Sequence, residues 1–174
     1  MTEREANPQS NEKKGGKHLS ALCSVLGNLI ILAVVVMLLP LGAARLMGYQ
    51  LYNVVSESMS PAIPKGSLVL VRQVGAREIA EGDVIAFERG GSVITHRVSA
   101  VRAADGEFTT RGDANQEDDI LPVPFPSLIG RVEHHIPVMG ALAALAASPS
   151  GKMILFGQIL GGSLLRLLGE RLRK

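Results

Sequence analysis

The side chains best suited to covalent chemistry are three clustered serines, Ser56, Ser58 and Ser60, which lie between two apolar stretches. A serine hydroxyl is a weak nucleophile until a neighbouring base takes its proton, and that base needs a carboxylate to orient it. His96 and an acidic loop, residues 111–119, follow further along the chain. The sequence therefore contains the three parts of a serine–histidine–carboxylate arrangement.

His96 lies in a stretch with the alternation of a half-buried strand. Ile94, His96 and Val98 share one face of that strand, whereas Arg97 belongs to the other. Burial disfavours the charged imidazolium, so a neutral, proton-accepting ring suits this apolar face. Taken alone, the pattern fits a structural core histidine better than a catalytic base.

The acidic loop, residues 111–119, alternates carboxylate and amide side chains as calcium-binding loops do. However, Asp118 stands where such a loop requires glycine, and Pro124 stands where it requires glutamate. A solvated, capped turn is the plainer interpretation. His134 and His135 are adjacent and lack the spacing of zinc proteases, so a surface pair is favoured. We expect no metal and no cofactor.

The elements that must position these residues are short strands separated by turns. Prolines in residues 121–126 exclude a central strand there, because proline cannot donate to a ladder. The turn signals lie at residues 89–91 and 104–107, the second being an Asp-Gly hairpin turn. The candidate strands are residues 51–55, 67–72, 81–87, 92–101, 107–111 and 128–136. This spacing predicts a mainly β protein with a small antiparallel β domain at residues 48–136.

Residues 19–39 carry no charge, and about 20 apolar residues suffice to cross a bilayer as a helix. A helix of a soluble domain would show a polar face. A cleavable signal peptide has a shorter apolar region, although residues 42–44 could serve as its cleavage site. We favour an uncleaved transmembrane anchor. Lys13, Lys14 and Lys17 precede it, which predicts a cytoplasmic N-terminus and an extracytoplasmic β domain.

The two ends of the chain differ in character. Residues 1–18 are polar and are predicted to form a disordered cytoplasmic tail. Residues 137–174 form a membrane-associated segment whose apolar part is residues 153–168. Two interpretations fit that part: a second transmembrane helix, or an amphipathic helix lying on the membrane. The basic residues at 171–174 suit a cytoplasmic end and favour the second span.

Composition agrees with a membrane helix joined to a small domain. Apolar residues make up 47% of the 174 residues, but aromatic residues only 3%. The net charge of +2 is too small to predict a nucleic-acid partner. The single cysteine, Cys23, lies inside the first span, so the β domain has no disulfide.

Four motifs, in the order SESMSPAIPKGS, GDVIAF, THRV and RGDANQEDD, resemble the type I signal peptidases. The resemblance covers about residues 19–140. It is to the branch found in archaea, in the endoplasmic reticulum and in some Gram-positive and spore-forming bacteria. That branch uses serine, histidine and aspartate where most bacterial relatives use serine and lysine.

The resemblance implies a role for each matching residue. Ser58, before the Met-x-Pro, would be the nucleophile, and His96 the general base. The family's essential acid lies six places beyond the Asp of its Gly-Asp motif, which selects Asp119 over its neighbour. Asp113 would be a supporting residue. Ser56 would join the Ser58 backbone N–H in the oxyanion hole.

Two positions depart from the family's pattern. Glu57 stands between the two serines where the relatives have glycine. Ser67 follows Gly66 where the relatives have aspartate. Lys65 lies in the turn after the serines and is interpreted as a surface residue rather than a base.

The sequence thus predicts a membrane-bound serine endopeptidase that removes signal peptides from exported preproteins. Its partners would be those preproteins and the lipid membrane, with no nucleic acid. It would act at the outer surface of the cell membrane or the endoplasmic reticulum membrane. The alternative is a non-catalytic, membrane-anchored β domain that serves a secretion or pilus system and keeps the motifs only as remnants of the fold.

Overall fold

A computed structural model describes the backbone of residues 9–172 and the side chains of residues 18–172. The elements in chain order are α1 (Gln9–Leu46), β1 (Tyr49–Asn53), β2 (Leu68–Arg72), β3 (Val84–Arg89), β4 (Ser92–Arg102), β5 (Glu107–Arg111), β6 (Val123–Pro124), β7 (Leu128–Ile136), α2 (Met139–Ala147) and α3 (Pro149–Leu172). They form two compact units. Of the described residues, the helical unit comprises 9–40 and 148–172, and the β unit is Leu41–Ala147.

Within the part of the chain that the structure describes, two helices are long and apolar enough to cross a membrane. The first is the His18–Leu46 part of α1, with a mean hydropathy of 2.8, and the second is α3, with 1.3. Both exceed their predicted lengths. In particular, α1 begins at Gln9 and so includes much of the predicted tail. Residues 1–8 of that tail lie outside the part of the chain that the structure describes.

Within the helical unit, α1 and α3 approach at glycines. A Cβ atom on Gly162 would lie only 3.0 Å from the Gly27 carbonyl oxygen. A Cβ atom on Gly169 would lie 2.6 Å from the Ser20 carbonyl oxygen. Small residues let two helix backbones pack this closely in lipid, where packing takes the place of the hydrophobic effect.

The β unit is built on one seven-stranded antiparallel sheet in the order β1-β2-β7-β3-β4-β5-β6. The predicted antiparallel β fold is confirmed. The two-residue strand β6 contains Pro124 and pairs only with β5, at the edge of the sheet. An edge position is where proline is tolerated, since its missing N–H faces outward.

The turns between strands are those that the sequence predicts. Gly90 and Gly91 join β3 to β4 with φ of 59° and 75°, values that favour glycine. Gly106, with φ of 71°, ends the turn between β4 and β5. The strand pairing shifts register at three places that are not predicted, in β2–β7, β3–β7 and β4–β5. The third is a bulge at Ser99, so the alternation of β4 breaks after Val98.

The core of the β unit consists of two apolar clusters. One of them includes Met59, which follows the serine cluster and is 1% exposed. Burial of Met59 therefore anchors the turn that contains Ser56, Ser58 and Ser60, called the serine turn below, to the sheet. The first cluster consists of Val54, Met59, Ile63, Val69, Val71 and Ala86, and the second of Ile79, Ile85, Phe87, Val98, Phe108 and Val123.

The β unit ends later than predicted. The Gly140 N–H, in α2, donates to the Gly66 carbonyl at 2.9 Å. A Cβ atom on Gly140 would lie 2.6 Å from the Ser67 carbonyl oxygen, so the helix packs tightly on the β2 end of the sheet. Residues 139–147 thus belong to the β unit, whereas the sequence grouped them with the C-terminal segment, residues 137–174.

Candidate active site

Ser58 lies in a turn whose backbone is closed by hydrogen bonds. The Ser60 N–H donates to the Glu57 carbonyl at 2.9 Å, and the Ile63 N–H donates to the Met59 carbonyl at 2.8 Å. Met59 and Ile63 are buried on the core side of this turn. Ser58 itself is half-buried, so its hydroxyl lies at the surface on a backbone that the core holds in place.

His96 and Asp119 form a buried pair. His96 Nδ1 lies 2.7 Å from Asp119 Oδ2, and the two side chains are 11% and 13% exposed. The ring is held from the core side by Phe87, whose centroid lies 6.4 Å away in an edge-on arrangement. An Nδ1–H donated to the carboxylate fixes the tautomer and leaves Nε2 free to accept a proton.

The structure separates the two adjacent acidic residues of the loop. Asp119 faces His96, and its backbone N–H donates to the Thr110 carbonyl at 2.8 Å. Asp118 lies at the surface, with 46% of its side chain exposed, and its Oδ1 is 3.8 Å from Arg111 Nε. The acidic residue selected from the sequence is therefore the one beside the histidine.

Gly112 is where the serine turn meets the histidine. A Cβ atom on this residue would lie 2.6 Å from the Ser58 carbonyl oxygen and 3.1 Å from His96 Nε2. The Ala114 N–H also donates to the Ser58 carbonyl at 2.9 Å. The Ser58 backbone and His96 Nε2 thus border the same small space, which only glycine leaves open at this position.

The Ser58 hydroxyl has a different partner. Ser58 Oγ lies 3.2 Å from Ser56 Oγ. Among the hydrogen bonds of residues 18–172, none joins Ser58 Oγ to His96. The structure therefore brings His96 and Asp119 together and places Ser58 beside them, but with its hydroxyl turned to Ser56. Hydrogen bonds of this kind often tighten only when substrate binds.

Asp113 is held by an arginine clamp. Arg97 donates through Nε to Oδ1 at 2.8 Å and through a terminal nitrogen to Oδ2 at 2.7 Å. The bond with Asp113 raises the pKa of the Arg97 guanidinium above its ordinary value. A further Arg97 N–H donates to the Gly82 carbonyl at 2.8 Å. Since neighbours on a strand point to opposite faces, His96 and Arg97 hold the two ends of the acidic loop from the two faces of β4.

Glu57 and Ser67, the two positions that depart from the pattern of the signal peptidases, have ordinary backbone conformations. Among the described residues, Val138 is the non-glycine residue with positive φ, so Glu57 does not adopt the conformation that favours glycine. Its side chain is exposed beside the serines. Ser67 is buried, and its hydroxyl donates to the Pro64 carbonyl at 2.6 Å.

Two residues of the site are absent from the sequence-based prediction, Thr110 and Gly112. Thr110 Oγ1 donates to Asp119 Oδ2 at 2.7 Å. Alternation along β5 does place Thr110 and Phe108 on one face, but it does not reveal the partner. Gly112 lies within the acidic motif, but nothing in the neighbouring residues indicates that Ser58 and His96 approach it.

The structure offers no ready metal centre in its described part. Within residues 18–172, no group of three or more histidine, cysteine, aspartate or glutamate side chains could hold an ion. His134 and His135 lie exposed at the end of β7, and the His134 ring lies 6.2 Å from that of Tyr49.

A serine next to a buried histidine–aspartate pair is the set of groups that serine hydrolases use, here on a chain with two membrane-length helices. Residues 26–105 match the family described as signal peptidase, peptidase S26. In this region the chain is similar to that family. The matched region contains Ser58 and His96 and ends before Asp119.

A second comparison agrees. Over 86 residues the chain is 36% identical to signal peptidase I W of Bacillus subtilis (strain 168). The match covers 47% of this chain and 45% of the Bacillus protein, so it spans about half the length of each.

Proposed function

We propose that the chain is a membrane-bound serine endopeptidase that removes N-terminal signal peptides from exported preproteins. The observation that carries the proposal is the buried contact of His96 with Asp119, beside the loop that holds Ser58. Burying such a pair adds little stability, because the cost of removing the two groups from water offsets the gain from their hydrogen bond. A non-catalytic accessory domain would gain little from such a pair, whereas an enzyme needs it to orient its base.

In the proposed reaction, Ser58 Oγ attacks the carbonyl carbon of the scissile peptide bond while His96 Nε2 takes the hydroxyl proton. The C–N bond then breaks, and His96 gives that proton to the leaving amine, which is the N-terminus of the mature protein. Water enters, His96 takes one of its protons, and the water oxygen bonds to the acyl carbon. The bond between that carbon and Ser58 Oγ then breaks, His96 returns the proton to Ser58 Oγ, and the signal peptide leaves with a new carboxyl group. Asp119 holds His96 in the required tautomer throughout.

Negative charge develops on the carbonyl oxygen during each half of the reaction. The Ser58 N–H and the Ser56 hydroxyl are the proposed donors to it. One such donor contributes about 3–4 kcal/mol to the transition state. To act in this way, the Ser56 hydroxyl must give up its bond with Ser58 Oγ, which also frees Ser58 to turn toward His96.

The full chain, purified in detergent, can be incubated with several secretory preproteins. We expect each substrate to be converted to a shorter product, and mass spectrometry of the product's new N-terminus would locate the cut at the signal-peptide junction. A known type I signal peptidase serves as the positive control. The proposal is wrong if that enzyme cuts the preproteins and this chain cuts none.

Asp119→Asn is expected to lower kcat on the order of 10⁴-fold, because the amide no longer holds His96 in the tautomer with Nε2 free. Asp118→Asn is the matched control, since it removes the same charge one residue away, at the surface. We expect the control to keep near wild-type kcat in the preprotein assay. Equal losses in both variants would contradict the role of Asp119.

We also propose that both chain ends are cytoplasmic and that α3 is a second membrane span. Its mean hydropathy of 1.3 and the close approach of Gly162 to Gly27 support this topology. Cysteines placed at Asp105 and Lys174 in a Cys23→Ser chain can be probed with a membrane-impermeant maleimide. We expect the Asp105 site to react in sealed cells and the Lys174 site to react only after permeabilisation. Labelling of both sites without permeabilisation would exclude the second span.

A further inference from the structure

Besides His96, Thr110 also forms a hydrogen bond with the Asp119 side chain. Thr110, on β5, is fully buried, and its Oγ1 donates to Asp119 Oδ2 at 2.7 Å. This is the same carboxylate oxygen that faces His96 Nδ1, also at 2.7 Å. The Thr110 carbonyl in turn accepts the Asp119 backbone N–H at 2.8 Å. Thr110 therefore restrains both the side chain and the backbone of the acid.

The neighbouring residue shows that this contact is not a general consequence of a buried threonine. Thr109 is 8% exposed, yet its Oγ1 has no hydrogen-bonding partner. Successive side chains of a strand point to opposite faces, so only one of the two hydroxyls reaches the acid. Each residue could be replaced by valine, which has nearly the same shape and lacks the hydroxyl.

The geometry suggests what the contact does. A carboxylate bonded only to the histidine can rotate about its χ2 angle, because that torsion is broad. A second donor on the same oxygen keeps Oδ2 directed at Nδ1. Small misplacements of catalytic groups are costly, about 100-fold in rate for a shift of 1 Å.

We propose that Thr110 is a positioning residue, which fixes the Asp119 carboxylate so that it holds His96 in its catalytic orientation. The inference rests on the proposed peptidase function for its effect on rate. The contact itself, however, can be tested without any substrate.

The first experiment uses proton NMR of the full chain in detergent, in the region where a histidine Nδ1–H bonded to a carboxylate resonates. We expect the wild type and Thr110→Ser to show this downfield signal. Thr110→Val should shift or broaden it, and Thr109→Val should leave it unchanged. This readout decides whether Thr110 organises the pair, even if no preprotein is cleaved and the proposed function fails.

The second experiment measures cleavage. Thr110→Val is expected to lower kcat about 10- to 100-fold with little change in KM, since the substrate does not touch Thr110. Thr110→Ser should retain most of the activity because it keeps the hydroxyl, and Thr109→Val should resemble the wild type. In an Asp119→Ala background, Thr110→Val should cause no further loss, because it acts only through the acid.

The proposal is overturned if Thr110→Val and Thr109→Val behave alike in either experiment, or if the loss from Thr110→Val persists in the Asp119→Ala background. Thermal unfolding of both valine variants shows whether each is folded. If Thr110→Val does not fold, the smaller Thr110→Ala, compared with Thr109→Ala, decides by the same criteria.

Discussion

Replacing Ser58 with alanine is expected to abolish preprotein cleavage, with a fall in kcat on the order of 10⁶-fold. The reason is chemical, since alanine has no oxygen to form the acyl intermediate. The fold should survive, because the Ser58 carbonyl, and not its side chain, accepts the bond from the Ala114 N–H at 2.9 Å. Cleavage can be followed by the conversion of precursor to mature protein on a gel.

Ser60→Ala is the control for this variant. Ser60 lies two residues away in the same turn and has no place in the proposed mechanism. We expect it to cut preproteins at close to the wild-type rate. Cleavage by Ser58→Ala at the wild-type rate, or full inactivity of Ser60→Ala with Ser58→Ala active, would assign the nucleophile elsewhere.

His96→Lys is expected to be equally inactive, although most bacterial signal peptidases use a lysine where this chain has the histidine. Here the Asp119 carboxylate lies where it contacts the ring of His96 at 2.7 Å. A carboxylate beside an ammonium group favours its charged form, and a charged lysine cannot accept the serine proton. For a lysine to act as the base, the groups around it must therefore differ as well, and not only the residue at position 96.

The same preprotein assay measures this variant, with His134→Lys as its control. His134 lies exposed at the end of β7, so the same substitution there should leave cleavage unchanged. Activity of His96→Lys comparable to that of the wild type would refute the triad that contains His96 and Asp119.

The strands and turns could be predicted because their signals are local. Gly90 and Gly91 supply the positive φ of a tight turn, and the Asp-Gly pair before Glu107 marks the next hairpin. The prolines of residues 121–126 restrict that segment to an edge. Such features act within a few residues, so the sequence alone indicates them.

The sheet order and the finer contacts of the site could not be predicted in this way. Strand β7 pairs with both β2 and β3, and neither pairing leaves a mark on the local pattern. Thr110 contacts Asp119 only because the acidic loop returns to the sheet. The open space at Gly112 arises in the same way. These features require the positions of atoms far apart in the chain.

The hydrogen bond from Ala114 to Ser58 has a consequence for building chimeras with related enzymes. It joins the backbone of the serine turn directly to that of the acidic loop, although more than 50 residues separate them in the chain. An insertion between Gly112 and Asp119 would have to bulge away from the sheet or displace Ser58, the proposed nucleophile. A functional chimera should therefore exchange the serine turn and the acidic loop together.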